Sequence, residues 1–93
     1  MLPYTIDDAI TDPLTCSVEV TIDFGGQKRW LFFATPKLLA SAGDFVPGTQ
    51  VRFHLGEPHM IVVSELTETV IEAVLRDLWE VGCLARHTAP LEQ

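Results

Sequence analysis

Apolar and polar residues alternate without a break in CSVEVTID, residues 16–23, with Cys16, Val18, Val20 and Ile22 on one side and Ser17, Glu19, Thr21 and Asp23 on the other. A period of two predicts a strand with one face buried. FGGQ follows, and its two glycines accept the positive φ that a tight hairpin turn requires. The chain returns as KRWLFFAT, residues 28–35, in which Trp30, Leu31, Phe32 and Phe33 are all large and apolar. A strand apolar on both sides is covered on both sides or lies beneath a subunit contact.

The period then changes. In TPKLLASAG, residues 35–43, Thr35 caps a helix whose first residue is Pro36, and Gly43 stands just past its end, predicting two turns that bury Leu38, Leu39 and Ala42. Pro47 and Gly48 mark a turn. VRFHL, residues 51–55, alternates again, and HMIVVSE, residues 59–65, is a continuous apolar run that predicts an inner strand. The two read as a second hairpin closed by the turn residues between them. The longest periodic stretch is last: Val70, Ile71, Val74, Leu75, Leu78 and Val81 recur at spacings of three and four, with Glu68, Glu72, Arg76, Asp77 and Glu80 opposite. Thr67 is its predicted N-cap and Gly82 its stop.

The expected fold is therefore α+β: a four-stranded, largely antiparallel sheet in the order ββαββα, packed against a long C-terminal helix and a short middle helix as a two-layer sandwich. Residues 1–93 form a single domain whose first 14 residues are an arm, with a helical turn expected in TIDDAI.

A hydrophobic fraction of 47% with 20% charged residues gives enough apolar material for a core, which excludes a disordered chain. No apolar run approaches the ~18 residues of a membrane span, and MLPYTIDDAI carries acids where a secretion signal carries Lys or Arg. These features point to a cytoplasmic protein with no membrane partner. Two cysteines, Cys16 and Cys83, fit buried thiols better than a disulfide framework.

The net charge of −7 is uneven. The first 27 residues hold five acids and no Lys or Arg, Lys28, Arg29, Lys37 and Arg52 make the middle mildly basic, and acids dominate again from Glu65 onward. Such a chain repels phosphate backbones, which argues against nucleic acid, and attracts a basic protein.

Candidate chemistry concentrates in FHLGEPHM, residues 53–60. In a hairpin with a four-residue loop His54 faces His59, with Glu57 at the tip; in a three-residue loop they part. Neutral imidazoles bind metals and titrate near neutral pH, so His54, Glu57 and His59 are the candidates for a metal site or an acid–base pair. Zinc needs three or four ligands, and neither cysteine is close in sequence. Ser64 lacks the flanking glycines of a nucleophile elbow, and Gly25–Gly26 leads into a strand rather than a phosphate-binding helix. No catalytic residue and no cofactor is assigned.

The function these features suit is a non-enzymatic, acidic protein-interaction domain, of the kind found among bacterial immunity proteins and antitoxins, that docks on a basic partner. Glu19, Asp23, Glu72 and Glu80 are the expected docking charges, with Trp30 and Trp79 as aromatic contacts. Two alternatives stay open: a structural homodimer joined through Trp30 and Phe32 or through Leu31 and Phe33, and a small metal-binding or catalytic domain centred on His54, Glu57 and His59.

Overall fold

The first hairpin forms as its alternation and glycines require. Strands β2 (Val18–Phe24) and β3 (Gln27–Ala34) pair antiparallel from Val18 opposite Phe33 to Phe24 opposite Gln27. Gly25 and Gly26, at φ 67° and 100°, make the two-residue turn. In the computed structural model, which describes residues 1–91, this hairpin is the centre of an α+β fold.

A short strand, β1 (Tyr4–Ile6), pairs antiparallel with β2 on one side. The other edge of β3 is shared. Strand β6 (Met60–Val62) runs parallel to it beside Phe32 to Ala34, and β7 (Ala89–Pro90) runs antiparallel beside Arg29 and Trp30. Between β3 and β6 in sequence lie helix α1 (Pro36–Ser41) and the separate two-stranded ribbon of β4 (Asp44–Phe45) with β5 (Arg52–Phe53); between β6 and β7 lie helix α2 (Glu68–Glu80) and a 3-10 turn over Leu84–His87. None of the described helices is long and apolar enough to cross a membrane.

The core lies where the two periods meet. Val18, Val20 and Ile22 from β2, Leu31 and Phe33 from β3, and Ile71 and Leu75 from α2 form one fully buried cluster with Leu66 and Leu84. Ile71 and Leu75 are four apart and so share one helix face, as the alternate residues of β2 share one sheet face. Thr67 caps α2 by accepting a hydrogen bond from the Val70 N–H at 3.1 Å, and Gly82 follows at φ 77°.

Buried Thr35 does two jobs: its hydroxyl accepts from the Leu38 N–H at the start of α1 and donates to the Leu14 carbonyl. The loop supplying that carbonyl is shaped by Asp12, whose carboxylate accepts from the Leu14 N–H at 2.9 Å. That bond, then the Thr15 hydroxyl, holds the Asp12 carboxyl below the ordinary aspartate range. Arg29 fastens the C-terminal segment through Nε to the Thr88 hydroxyl, 2.7 Å, and through a guanidinium nitrogen to its carbonyl, 3.0 Å.

Four expectations change. The sheet has five strands, and the ββαββα order is not the one formed. The second hairpin is absent: β5 pairs with β4 upstream, while β6 crosses to lie parallel to β3. The run at residues 60–63 is apolar because Ile61 and Val63 pack on the core and Met60 lies beside Phe32; β6 ends the strand order, with Val62 at 47% exposure. TIDDAI contains no helical turn, since Tyr4 and Ile6 pack inward from β1.

Candidate functional site

Opposite the core, the sheet presents a second face. Alternation along β2 turns Glu19, Thr21 and Asp23 away from Val18, Val20 and Ile22, and the register places them directly across from Phe32, Trp30 and Lys28. The rows continue sideways: Thr5, Thr21, Trp30 and Ala89 form one, and Glu19, Phe32 and Met60 the next. α2 packs on the core side, while on this outer face His59 lies against the aromatic residues and Phe32 and Met60 line a cleft shared with Phe53, His54 and Leu55.

Aromatic rings occupy its middle. Trp30 and Phe32, both half-buried, stack at 5.9 Å between centroids and 25° between planes. The His59 ring meets Trp30 edge-on at 4.5 Å and Phe32 at 5.4 Å. Its Nε2 lies 3.1 Å from a carboxylate oxygen of Glu57. Aromatic pairs in these geometries add to the stability gained by burial and hold their rings in fixed positions, which suits a contact surface.

Carboxylates border the aromatic strip on the β1 side. Asp7 accepts the Thr21 hydroxyl at 2.6 Å, and Asp8 accepts the Glu19 N–H at 2.8 Å, so both acids extend the sheet ladder beyond Ile6. Their charges stand beside Glu19. Asp23 is engaged differently: it accepts the Gly26 N–H at 2.6 Å within the hairpin turn and sits opposite Lys28.

The residues singled out from sequence thus divide. Glu19, Asp23 and Trp30 share the outer face. Glu72 and Glu80 lie on the exposed side of α2, whose other side packs on the opposite face of the sheet. The two acid sets therefore cannot form one docking surface. Glu72 is already paired with Arg76 one turn on, at 2.9 Å. Trp79 is 42% exposed near the end of the same helix.

The two histidines part company because their hairpin does not form. The His54 ring reaches the Leu39 carbonyl in α1, and since a carbonyl only accepts, Nε2 carries the hydrogen across 2.6 Å. His59 turns instead to Trp30 and Phe32, leaving Glu57 and His59 as the only two of the three candidates joined by an ion-pair contact among the described residues. No group of three or more His, Cys, Asp or Glu side chains is placed to hold a metal ion among the described residues. Cys16 and Cys83 are both free and half-buried.

Leu31 and Phe33 lie in the core and offer nothing to a second subunit. Three members of the outer face escaped the sequence reading: Asp7 and Asp8, read there as part of a helical turn, and His59 as a neighbour of Trp30. The only sequence signal for the acids was their position next to the alternating Tyr4, Thr5 and Ile6. No family model, curated protein or solved structure matches this chain.

Proposed function

We propose that this chain is a non-enzymatic protein-binding domain of the inhibitor type, immunity- or antitoxin-like in logic, acting in the cytoplasm by docking the outer face of its sheet on a basic partner. The observation that supports this reading is the pairing, on the sheet face opposite α2, of a fixed and half-buried aromatic strip, Trp30 with Phe32, and a border of carboxylates, Asp7, Asp8 and Glu19. A desolvated aromatic centre with a charged rim is the usual anatomy of a specific interface, with rim charge setting association rate and partner choice. The acids of α2 belong to another face and take no part.

The test is recovery of the partner from the native lysate on immobilised protein. A basic protein should be retained, come off in raised salt, and be lost with Trp30→Ala or with Glu19→Lys combined with Asp8→Lys. Glu72→Lys combined with Glu80→Lys should leave retention intact. Loss of retention with the helix pair, or recovery of no basic protein, overturns the reading.

A further inference from the structure

We propose that the cleft between the outer face of the sheet and the β4–β5 ribbon is a pocket for one arginine side chain. Assigning that arginine to the basic partner rests on the proposed function; the pocket itself does not.

Three parts of the chain enclose the cleft. Phe32 and Met60, paired directly on neighbouring strands, line it from the sheet, Leu39 from α1, and Phe53 and Leu55 from the ribbon and the segment that follows. Its volume is about 250 Å³, below the roughly 300–1,000 Å³ of cofactor and small-molecule sites. That space suits one side chain better than a free ligand.

The ribbon's alternation gives the cleft its sign. Its two ladder pairs are Asp44 with Phe53 and Phe45 with Arg52, and successive pairs turn to opposite faces. Asp44 and Phe53 line the cleft, while the Arg52 guanidinium is held by the other pair, 4.2 Å over the Phe45 ring and 3.0 Å from the Gly43 carbonyl. Glu57 adds a second carboxylate, and among the described residues that line the cleft there is no Lys or Arg. His54 also lines it, but its Nε2–H is already given to the Leu39 carbonyl. Among the described residues Asp44 has no ion-pair partner, and Glu57 has only His59.

Apolar walls with two carboxylates select a long cation. Its methylene stem covers the walls while its charged head meets the acids. Arginine fits better than lysine, because a guanidinium stacks on an aromatic ring as well as pairing with a carboxylate, and both Phe32 and Phe53 line the cleft. The chain makes the same contact internally on the other side of the ribbon, between Arg52 and Phe45. Arginine is also among the residues that most often anchor a protein interface.

Amide NMR spectra of the whole chain, titrated with N-acetyl-arginine amide, test the pocket. The Phe32, Phe53, His54 and Met60 amides should shift together and saturate. N-acetyl-citrulline amide, nearly the same shape without the charge, should bind at least about tenfold more weakly. Asp44→Asn combined with Glu57→Gln should weaken arginine binding by a similar factor, about tenfold or more, with unchanged circular dichroism. Glu72→Gln combined with Glu80→Gln removes the same charge from α2 and should leave binding unchanged. Equal weakening by the two pairs would mean that the net charge of −7 alone attracts the probe, and overturns the proposal. Equal binding of citrulline, or shifts that never saturate, does so too. In the lysate test, a basic partner retained equally well by Asp44→Asn combined with Glu57→Gln sinks the assignment of the arginine while the proposed function stands. Saturable probe binding with no basic partner recovered keeps the pocket and sinks the proposed function.

Discussion

Two stretches of this chain follow the same rule of alternation and end in opposite environments. Val18, Val20 and Ile22 are fully buried; Val51, Phe53 and Leu55 are 61%, 40% and 77% exposed. Alternation states which side chains share a face. Whether that face is covered depends on an element elsewhere in the chain. For β2 the cover is α2, whose Ile71 and Leu75 are spaced to reach it; β5 contributes no residue to that buried cluster. The apolar residues of one stretch hold the fold together, and those of the other remain available for contact.

Truncation should separate the two most sharply. Phe33→Ala and Leu75→Ala each remove a fully buried side chain and should cost about 3–5 kcal/mol in urea unfolding. Phe53→Ala, in dilute protein, should cost under about 1 kcal/mol, since its ring keeps much of its exposure. Comparable losses at Phe33 and Phe53 would break the distinction between fold and contact.

A glycine at the root of the ribbon sharpens it next. Gly43 has φ 89°, and a Cβ there would lie 2.6 Å from the His54 ring and 2.8 Å from the Phe53 carbonyl oxygen. Gly43→Ala combines an unfavourable backbone conformation, about 1–2 kcal/mol, with a clash that displaces His54 from Leu39. The expected result is local: the Val46 amide, bonded to Val51 at 2.7 Å, exchanges faster, while the Leu31 amide in the sheet does not change. Gly25→Ala carries backbone strain alone, because a Cβ there meets nothing within 4 Å. Equal acceleration at Val46 and Leu31 would show that ribbon and sheet open as one unit.

The same contrast explains how far the sequence carries. The β2–β3 hairpin and both threonine-capped helices, the short and the long, were legible because each rests on local rules: alternation, a Gly-Gly turn, a hydroxyl at the N-cap and a period of 3.6. The path of residues 44–65 was not, since pairing VRFHL with the next apolar run is the shortest connection, and β6 instead makes a long-range parallel pairing with β3. β7 is two residues long and held by Arg29, 59 positions from Thr88, with no local pattern to mark it. Within the candidate site, Glu19, Asp23 and Trp30 were readable one by one. That Glu72 and Glu80 oppose them follows only once α2 is known to pack on the Val18 side of the sheet.

The smallest effect concerns the loop that ties the N-terminal segment to the core half of the molecule. Asp12 shapes the turn from which the Pro13 carbonyl accepts the Leu66 N–H at 2.7 Å and the Leu14 carbonyl accepts the Thr35 hydroxyl. The Asp12 carboxyl is held low first by the Leu14 N–H, then by the Thr15 hydroxyl. A carboxyl whose folded pKa is depressed stabilises the fold above its unfolded value, about 3.9, and that contribution fades as pH falls through the folded pKa. Asp12→Asn retains a side-chain acceptor for the Leu14 N–H and removes only the charge. Its unfolding midpoint should therefore fall slightly below the wild type at pH 7 and converge with it below about pH 4. Exchange at Val46 should be the same in both proteins, because the loop supports Leu66 and Thr35 rather than the ribbon. A midpoint difference that persists unchanged into acid would place the role of Asp12 in the geometry of its hydrogen bond and not in its charge.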